Sequence, residues 1–215
     1  MTAKPVIVIG AGGHAKSVLG SLLRSGTTVI GLIDRDSRRH GATVLGVPVI
    51  GDDDDVLARD PTGIMLVNGI GNIGPAKLRS AVTSSFASRG YGFASVVDPT
   101  AILGHEVQIG CGVQILAGAI VQAGCTLEDG VVVNSRAVLD HDCYLASHVH
   151  VATGATMAGN VTVGPCAFVG CGATVRQGVT IGAEAVIGAG AVVVQDVPMG
   201  EVVVGIPARP LNRKV

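Results

Sequence analysis

Aliphatic side chains recur at every sixth position from Val97 to Val193, and no insertion breaks the register. The series is Val97, Leu103, Ile109, Ile115, Val121, Leu127, Val133, Leu139, Leu145, Val151, Met157, Val163, Val169, Val175, Ile181, Ile187 and Val193. A second series of small or slim residues lies two positions before each member from Ile109 onward. A six-residue period fits neither an α-helix nor a simple strand. It predicts a chain that turns one corner per repeat and points one large and one small side chain inward each time.

Three such repeats close a triangular coil of about eighteen residues, and stacked coils bury a continuous aliphatic column. The composition agrees with this prediction, because the chain has 32 glycines, 2% aromatic residues and no Trp. A narrow prism filled by thin side chains has little room for large rings. We therefore predict a parallel β-helix of hexapeptide repeats over residues 97–215, which includes a short C-terminal tail.

Residues 1–96 lack the six-residue period and alternate between apolar strands and helices. The predicted strands cover residues 4–10, 27–34, 42–46, 47–51, 63–71 and 91–97, and the predicted helices cover residues 14–24 and 75–90. Strand–helix alternation with apolar strands predicts a small parallel α/β sheet. Residues 98–100 form the natural joint between this first domain and the coils.

A glycine-rich segment, Gly10-Ala11-Gly12-Gly13-His14-Ala15, closes the first predicted strand and opens the first helix. It matches the G-x-G-x-x-G/A pattern, and Asp34 ends the second strand at about the spacing that the pattern requires. The glycines let the backbone approach a diphosphate, and the helix N-terminus supplies free N–H groups. A bare tight turn is the alternative interpretation. We favour a Rossmann-like unit that holds a single nucleotide, because the sheet is short for a full dinucleotide fold.

Charge and sequence composition limit the partners and the cellular location that we expect for this protein. A formal net charge of −1 gives no electrostatic reason to expect nucleic acid or an anionic membrane surface as a partner. The start of the chain lacks the pattern of a signal peptide, and no long apolar stretch predicts a membrane span, so we expect a cytoplasmic protein. The acidic run over residues 52–55 is typical of a helix start, and we expect no metal site there.

The five cysteines form no C-x-x-C pair. Cys125 and Cys143 fall in the small inward series, so we expect slim core residues, and Cys111, Cys166 and Cys171 lie elsewhere in the repeat. We interpret all five as free thiols, not as ligands of zinc or as nucleophiles.

Histidines stand out among the small outward residues of the coils. For His105 and His148 we expect solvated surface positions. For His141 we expect a functional role, because Asp140 and Asp142 flank it and either carboxylate could orient or charge the ring. A strict strand would send neighbouring side chains to opposite faces, so His141 can pair with Asp142 only if the corner bends. One coil further along lies Gly159, which leaves space above the ring and exposes a backbone N–H.

Several motifs together resemble one known family. They are the GAGGHAK loop, the strand end Ile33-Asp34, the turn Ile70-Gly71-Asn72, His141-Asp142-Cys143, Ala158-Gly159-Asn160 and the closing run Val204-Gly205-Ile206-Pro207-Ala208-Arg209. Over essentially the full chain they resemble the sialic-acid/bacillosamine family of sugar O- and N-acetyltransferases. The resemblance implies a left-handed β-helix, a homotrimer with active sites between neighbouring subunits, and acetyl-CoA as the donor. The acceptor it implies is the 4-amino group of a nucleotide-linked amino sugar, most closely GDP-perosamine, with UDP- or dTDP-linked sugars as alternatives.

The resemblance also assigns roles to residues. It implies that His141 is the general base and Asp142 its acidic neighbour, where the bacillosamine enzyme type has Glu. It places the nucleotide sugar at Gly10, Gly12, Gly13, His14, Asp34, Arg35, Asp36 and Asn72, and acetyl-CoA at Asn134, His150, Gly159, Ala189 and Arg209. No metal is implied, and direct transfer is favoured over an acyl-enzyme because no Cys or Ser has a partnered base in the pattern.

Three other functions fit parts of the sequence. A non-catalytic β-helix scaffold would explain the coils but not the polar cluster around His141. An O-acetyltransferase acting on a sialic acid or another hydroxyl acceptor would use the same scaffold. An NAD-dependent enzyme is permitted by Asp34, but nothing on the coils resembles a hydride-transfer site.

Overall fold

The computed structural model describes residues 4–72 and 74–211. Its N-terminal part, residues 4–93, contains strands β1 Val6–Ile9, β2 Val29–Ile33, β3 Thr43–Val44, β4 Val47–Gly51, β5 Met65–Asn68 and β6 Gly92–Phe93, and helices α1 Gly13–Arg24, α2 Asp53–Leu57 and α3 Lys77–Ala87. The strands form one sheet in the order β3-β4-β2-β1-β5-β6, in which only β3 runs antiparallel to its neighbour. This arrangement confirms the predicted Rossmann-like α/β sheet. Among the described helices, none has the length and apolar character that crossing a membrane requires.

The acidic run starts a helix, as predicted. Asp52 is the N-cap of α2, where its carboxylate accepts the Asp54 N–H at 3.0 Å. The carboxylate of Asp55 in turn accepts the Asp52 N–H at 3.0 Å, which completes a capping box. The four acids therefore serve the start of α2.

The predicted strand over residues 91–97 is divided between two sheets, which corrects the sequence prediction. Phe93 in β6 pairs with Leu66 in β5. Val96 instead donates its N–H to the carbonyl of Val113 at 2.7 Å and belongs to the first coil. The chain changes sheets here because from Val96 onward its backbone pairs with the next coil, in which Gln114 lies opposite Val96.

The coils consist of short strands in three sheets, which are parallel except for the last strand, which runs antiparallel to the one before it. They are β7 Val96–Val97, β8 Ile102–Leu103, β9 Gln108–Ile109, β10 Gln114–Ile115, β11 Ile120–Val121, β12 Thr126–Leu127, β13 Val132–Val133, β14 Val138–Leu139, β15 Tyr144–Leu145, β16 His150–Val151, β17 Thr156–Met157, β18 Thr162–Val163, β19 Phe168–Val169, β20 Thr174–Val175, β21 Thr180–Ile181, β22 Val186–Ile187, β23 Val192–Val193, β24 Val202–Val204 and β25 Arg209–Pro210. Gln114 pairs with Val132 and Val132 pairs with His150, so one coil takes eighteen residues.

Each of the three sheets of the coils is named here by how many strands it contains, so that the six-stranded sheet always means the sheet of the coils and not that of the N-terminal part. The eight-stranded sheet runs from β7 to β25, the six-stranded sheet from β8 to β23, and the five-stranded sheet from β9 to β21. Together they form the left-handed β-helix that the family resemblance implied.

The two predicted inward series fill the core of the prism. From Val113 to Val193 their members are at most 2% exposed. The first coil is the exception, because Val97, Leu103 and Ile109 remain 36%, 39% and 37% exposed. These three side chains point inward but lie at the open end of the column, where no earlier coil covers them.

Asp98 anchors the joint between the N-terminal part and the coils. Its buried carboxylate accepts hydrogen bonds from Ser21 Oγ at 2.7 Å, from Arg24 Nε at 3.0 Å and from the N–H of Thr100 at 2.9 Å. Burial raises the pKa of this carboxyl, but the hydrogen bonds from Arg24, Ser21 and Thr100 outweigh burial and hold the pKa well below its usual range. The C-terminal end of α1 is thereby fixed to the base of the coils.

Candidate active site at a corner of the coils and the domain junction

The glycine loop presents open backbone at the start of α1. Gly10 has a positive φ of +91°, which explains the glycine at this position. Gly12 is the N-cap of α1 and has no side-chain cap, and the first turn contains no acidic residue. A Cβ added at Gly12 or Gly13 would meet no atom within 4 Å. The loop therefore leaves space and free N–H groups for an anionic ligand.

A cavity of about 180 Å³, called here the strand-end cavity, lies beside this loop at the carboxyl ends of β1 and β2. It is lined by Ile9, Gly10, Ile33, Asp34, Arg35, Asp53, Ile70, Leu78 and Val82. Three of these, Gly10, Asp34 and Arg35, were predicted from the sequence. Asp53 was missed, and it forms an ion pair with Arg35 at 2.8 Å. Parallel α/β sheets bind ligands at this edge.

Two of the predicted nucleotide residues bond to the protein itself. Asp34 accepts the N–H of Ala11 at 2.9 Å and the N–H of Asp36 at 2.9 Å, so its carboxylate ties the end of β2 to the glycine loop. Asp36 pairs with Arg38 at 2.8 Å in its own turn, away from the lining of the strand-end cavity. In this structure Asp34 supports the loop and Asp36 caps a turn.

A second cavity, of about 350 Å³, lies between the N-terminal part and the eight-stranded sheet and is called here the junction cavity. Its lining includes Gly13, His14, Ser17, Gly71, Asn72, Asn134, Ser135, His150, Ala152, Thr153, Phe168 and Cys171. Residues predicted for the nucleotide sugar and for acetyl-CoA therefore meet in one cavity. Cys171 was not predicted to lie there, and its thiol is free.

The two histidines of the junction cavity are held by amide side chains. His14 Nε2 lies 2.9 Å from Gln114 Oε1, and His150 Nδ1 lies 2.7 Å from Asn72 Oδ1. The centroids of the two rings are 5.7 Å apart. Gln114 was not singled out in the sequence, because a lone polar residue on the outer side of a coil has no distinctive spacing.

Both of these histidines are neutral near pH 7. Burial and the positive charge of Arg79 lower the pKa of His14 to about 4. Burial, the neighbouring His14 and Arg79 lower the pKa of His150 to about 3. Arg79 is itself only 1% exposed and donates to the carbonyls of Asn68 and Ile70. Sequence reasoning missed Arg79, since it looks like an ordinary surface residue of α3.

His141 lies at a different place, the corner between the six-stranded and five-stranded sheets. Asp142, with a φ of +58°, bends the chain so that its Oδ2 lies 2.8 Å from His141 Nδ1. The hydrogen bond with Asp142 raises the pKa of His141. The corner therefore bends in the way that the pairing required.

Glycines one coil away make room for both side chains. A Cβ on Gly159 would come within 2.5 Å of Cε1 and Nε2 of His141, and a Cβ on Gly124 would come within 2.4 Å of Asp142 Oδ1. Within the described part of the chain, the Gly159 N–H has no hydrogen-bond partner. The exposed ring of His141 thus lies against Gly159, which is itself buried.

One chain does not bring all the predicted site residues together. His141 and Gly159 lie at the corner opposite the eight-stranded sheet, whereas His14, Asn72 and His150 lie against that sheet. Asn134 and Ala189 lie at the corner between the eight-stranded and six-stranded sheets. Arg209 is exposed and lines a separate cavity of about 180 Å³ near the C-terminal end of the coils.

The two other outward histidines of the coils and the five cysteines differ in how far they are buried. His105 is exposed, as predicted. The surface prediction for His148 is wrong, because this residue is half-buried and its Nδ1 is buried without a hydrogen-bond partner among the described residues. Burial and the charge of Arg79 lower the pKa of His148. The start of α3 contacts the coils one coil further along, where the Ala76 N–H donates to the carbonyl of Cys166 at 3.2 Å. Cys125 and Cys143 are buried in the core and all five thiols are free, as predicted.

Known proteins match both the N-terminal part and the coils of this chain. The model of the PglD N-terminal domain family matches residues 5–86. A mutant of perosamine N-acetyltransferase from Caulobacter crescentus, in complex with CoA and GDP-perosamine, is 37% identical, with 99% of each chain covered and a TM-score of 0.91.

Two further solved structures are similar over the whole chain. The acetyltransferase domain of PglB from Neisseria gonorrhoeae FA1090 is 38% identical, with 97% of this chain and 100% of that chain covered and a TM-score of 0.90. WeeI from Acinetobacter baumannii AYE is 27% identical, with 97% and 100% covered and a TM-score of 0.88. With both the N-terminal sheet and the coils matched at this identity, the chain belongs to the family of sugar acetyltransferases.

Proposed function

We propose that this enzyme transfers the acetyl group of acetyl-CoA to the 4-amino group of a nucleotide-linked amino sugar, with GDP-perosamine as the first candidate. The observation that carries the proposal is the exposed His141–Asp142 pair next to the free N–H of Gly159. The similarity to an enzyme crystallised with CoA and GDP-perosamine supports the choice of both substrates. The acetyltransferase domain of PglB, a second relative, has been solved in complex with acetyl coenzyme A.

The two cavities suggest a path for the nucleotide sugar. The apolar walls and the Arg35–Asp53 pair of the strand-end cavity suit a base and its ribose. The uncapped start of α1 at Gly12 and Gly13 suits the diphosphate. The junction cavity begins at Gly13 and suits the sugar. A nucleotide sugar laid along the glycine loop would therefore reach from one cavity into the other.

The catalytic histidine must then come from another subunit, because His141 of the same chain lies on the far side of the prism. We propose a homotrimer in which the corner with His141 and Gly159 of one subunit faces the junction cavity of its neighbour. The outer side of the six-stranded sheet supports this packing, since it carries Ile102, 59% exposed, followed by Ile120 and Val138. Apolar rows of this kind favour contact with another protein surface.

The geometry supports direct transfer with His141 as the general base. Asp142 accepts a hydrogen bond from Nδ1–H, so Nε2 of the neutral ring carries the lone pair. The sugar amine attacks the thioester carbonyl carbon, the C–S bond breaks, and Nε2 takes the proton that the amine loses. The proton then passes to the departing thiolate. The N–H of Gly159 can stabilise the negative charge that develops on the carbonyl oxygen.

The proposal is tested by screening GDP-, UDP- and dTDP-linked 4-amino sugars with acetyl-CoA and following free thiol release. We expect thiol release with a 4-amino sugar, fastest with the GDP-linked one, and none with the GDP-linked sugar that carries a 4-hydroxyl group instead. Faster acetylation of the hydroxyl sugar would contradict the N-acetyltransferase assignment. Faster turnover of a UDP- or dTDP-linked amine would contradict the choice of nucleotide.

A further inference from the structure

We propose that Gln114 is a positioning residue that presents His14 as a neutral hydrogen-bond acceptor to a donor group of the ligand in the junction cavity. The proposal rests on the proposed function, which makes that ligand an amino sugar with hydroxyl and amine donors. It assigns a role to Gln114, which lies on the coils and reaches the glycine loop across the junction.

The orientation of the Gln114 amide follows from its surroundings. Gln114 is the first residue of β10, points out of the coil toward the N-terminal part and is 0% exposed. Its Nε2 lies 2.6 Å from the carbonyl oxygen of Asn68. Because a carbonyl oxygen only accepts hydrogen bonds, the amide must donate there, and its Oε1 must face His14.

The orientation of the Gln114 amide also determines which nitrogen of His14 carries the proton. Gln114 Oε1 is an acceptor, so the His14 Nε2 at 2.9 Å must donate. The lone pair of the neutral ring then lies on Nδ1, which has no hydrogen-bond partner among the described residues. Burial and the charge of Arg79, which lower the pKa of His14 to about 4, keep the ring in this neutral form near pH 7.

His150 lines the same cavity, but both of its nitrogens are already bonded to the protein. Asn72 donates its Nδ2 to the carbonyl of Gly74, so its Oδ1 faces His150 Nδ1 at 2.7 Å. Asn134 Oδ1 accepts the N–H of Ser135 at 2.7 Å, so its Nδ2 donates to His150 Nε2 at 3.3 Å. Of these two rings, His14 is therefore the one with a free lone pair for a ligand.

The first measurement is the ¹⁵N NMR spectrum of the full-length protein labelled at histidine, without ligand. We expect a pyrrole-type shift for His14 Nε2 and a pyridine-type shift for Nδ1. Gln114→Met should give His14 a mixture of tautomers, and Gln114→Glu should raise its titration midpoint, because a carboxylate next to the ring favours the charged form. Gln108→Met is the matched control, since Gln108 holds the same strand position six residues earlier and is exposed.

The second measurement is the kinetics of acetyl transfer. Gln114→Met should raise KM for the nucleotide sugar ~5-fold, the usual effect of losing one hydrogen bond, and leave KM for acetyl-CoA within about twofold. In a His14→Ala background, Gln114→Met should have no further effect on either KM, because Gln114 acts through His14.

The outcomes separate this proposal from the proposed function. A His14 spectrum that is unchanged in both Gln114 variants would overturn the positioning role, and so would a changed spectrum with an unchanged sugar KM. Additive effects of the His14 and Gln114 substitutions would also overturn it. If no nucleotide sugar is acetylated by the unaltered protein, the proposed function fails, and the NMR titration still decides whether Gln114 sets the tautomer of His14.

Discussion

The imidazole of His141 lies over Gly159, one coil further along the chain, so closely that a Cβ on Gly159 would come within 2.5 Å of the ring. The glycine is therefore required by the ring and not by backbone strain, since its φ is not in the left-handed region. Its own N–H, next to this ring, has no hydrogen-bond partner among the described residues. This relationship joins the proposed base and the proposed oxyanion donor in one structural unit.

Gly159→Ala should keep the fold and lower kcat about 10²-fold, since small displacements of catalytic groups have effects of this size. The added methyl group must push the exposed His141 ring aside, because the coil backbone cannot yield as easily. Gly63→Ala is the matched control, where the nearest atom to an added Cβ is 3.5 Å away. Equal kcat values for Gly159→Ala and the unaltered enzyme would show that the ring position does not matter.

His141→Asn should lower kcat by ~10²–10⁴, the usual contribution of a general base. His105→Asn is the matched control, because His105 lies at the same corner two coils earlier and is exposed. We expect it to have no effect on kcat. If the His141 variant lost less than threefold in kcat, another group would have to accept the proton.

The pH dependence follows from the Asp142 hydrogen bond, which raises the pKa of His141. The base form exists above that pKa, so kcat/KM should fall as the pH drops through it. Asp142→Asn removes the charge that favours the imidazolium, so the acid limb of the pH–rate profile should move to lower pH. An acid limb that stays in place would assign it to a different group, and neither His14 nor His150 is a candidate above about pH 5 because their pKa values are about 4 and about 3.

Asp98→Ala should destabilise the protein by about 2 kcal/mol at pH 7, because it leaves the buried hydroxyl of Ser21 without its acceptor and removes the partner of Arg24. The pKa of Asp98 is lowered in the folded state. Its stabilisation is therefore complete above the unfolded pKa of about 4 and is lost as the pH falls further. Urea unfolding at fixed protein concentration should show a smaller difference at pH 3 than at pH 7. Asp60→Asn, an exposed control that bonds only within its own turn, should have little effect at pH 7.

Gly12→Val should raise KM for the nucleotide sugar strongly and leave acetyl-CoA binding, measured by calorimetry, within about twofold. The free protein has room for the new side chain, since nothing lies within 4 Å of a Cβ at this position. The valine would fill space that the diphosphate needs. Equal loss of both substrates in well-folded protein would show that the glycine loop serves the coenzyme.

Periodicity predicted the coils well because each coil repeats the same pattern of large and small inward side chains. The eighteen-residue length of one coil also predicted from the sequence alone that Gly159 lies next to His141. The pairing of His141 with Asp142 could not be predicted, since it depends on the left-handed φ of one corner residue. Gln114, Arg79 and Asp53 were missed for a different reason. Their partners lie 9 to 100 positions away in sequence. No spacing rule connects Arg79 or Asp53 to a partner before the N-terminal part has folded, and the contacts of Gln114 also require that this part is docked on the coils.

The proposed shared site takes its junction cavity from one subunit and His141 from the neighbouring subunit. It is tested most directly by coexpressing His141→Asn and Gly12→Val subunits with different tags and purifying the mixed oligomers. At nucleotide-sugar concentrations well below the KM of the Gly12→Val variant, each variant alone should be nearly inactive. Every purified mixed trimer has one interface at which a His141→Asn subunit supplies an intact junction cavity and a Gly12→Val neighbour supplies an intact His141, so about a third of the normal sites should be recovered. Mixed oligomers that native mass spectrometry confirms as trimers but that recover no activity would contradict the shared site.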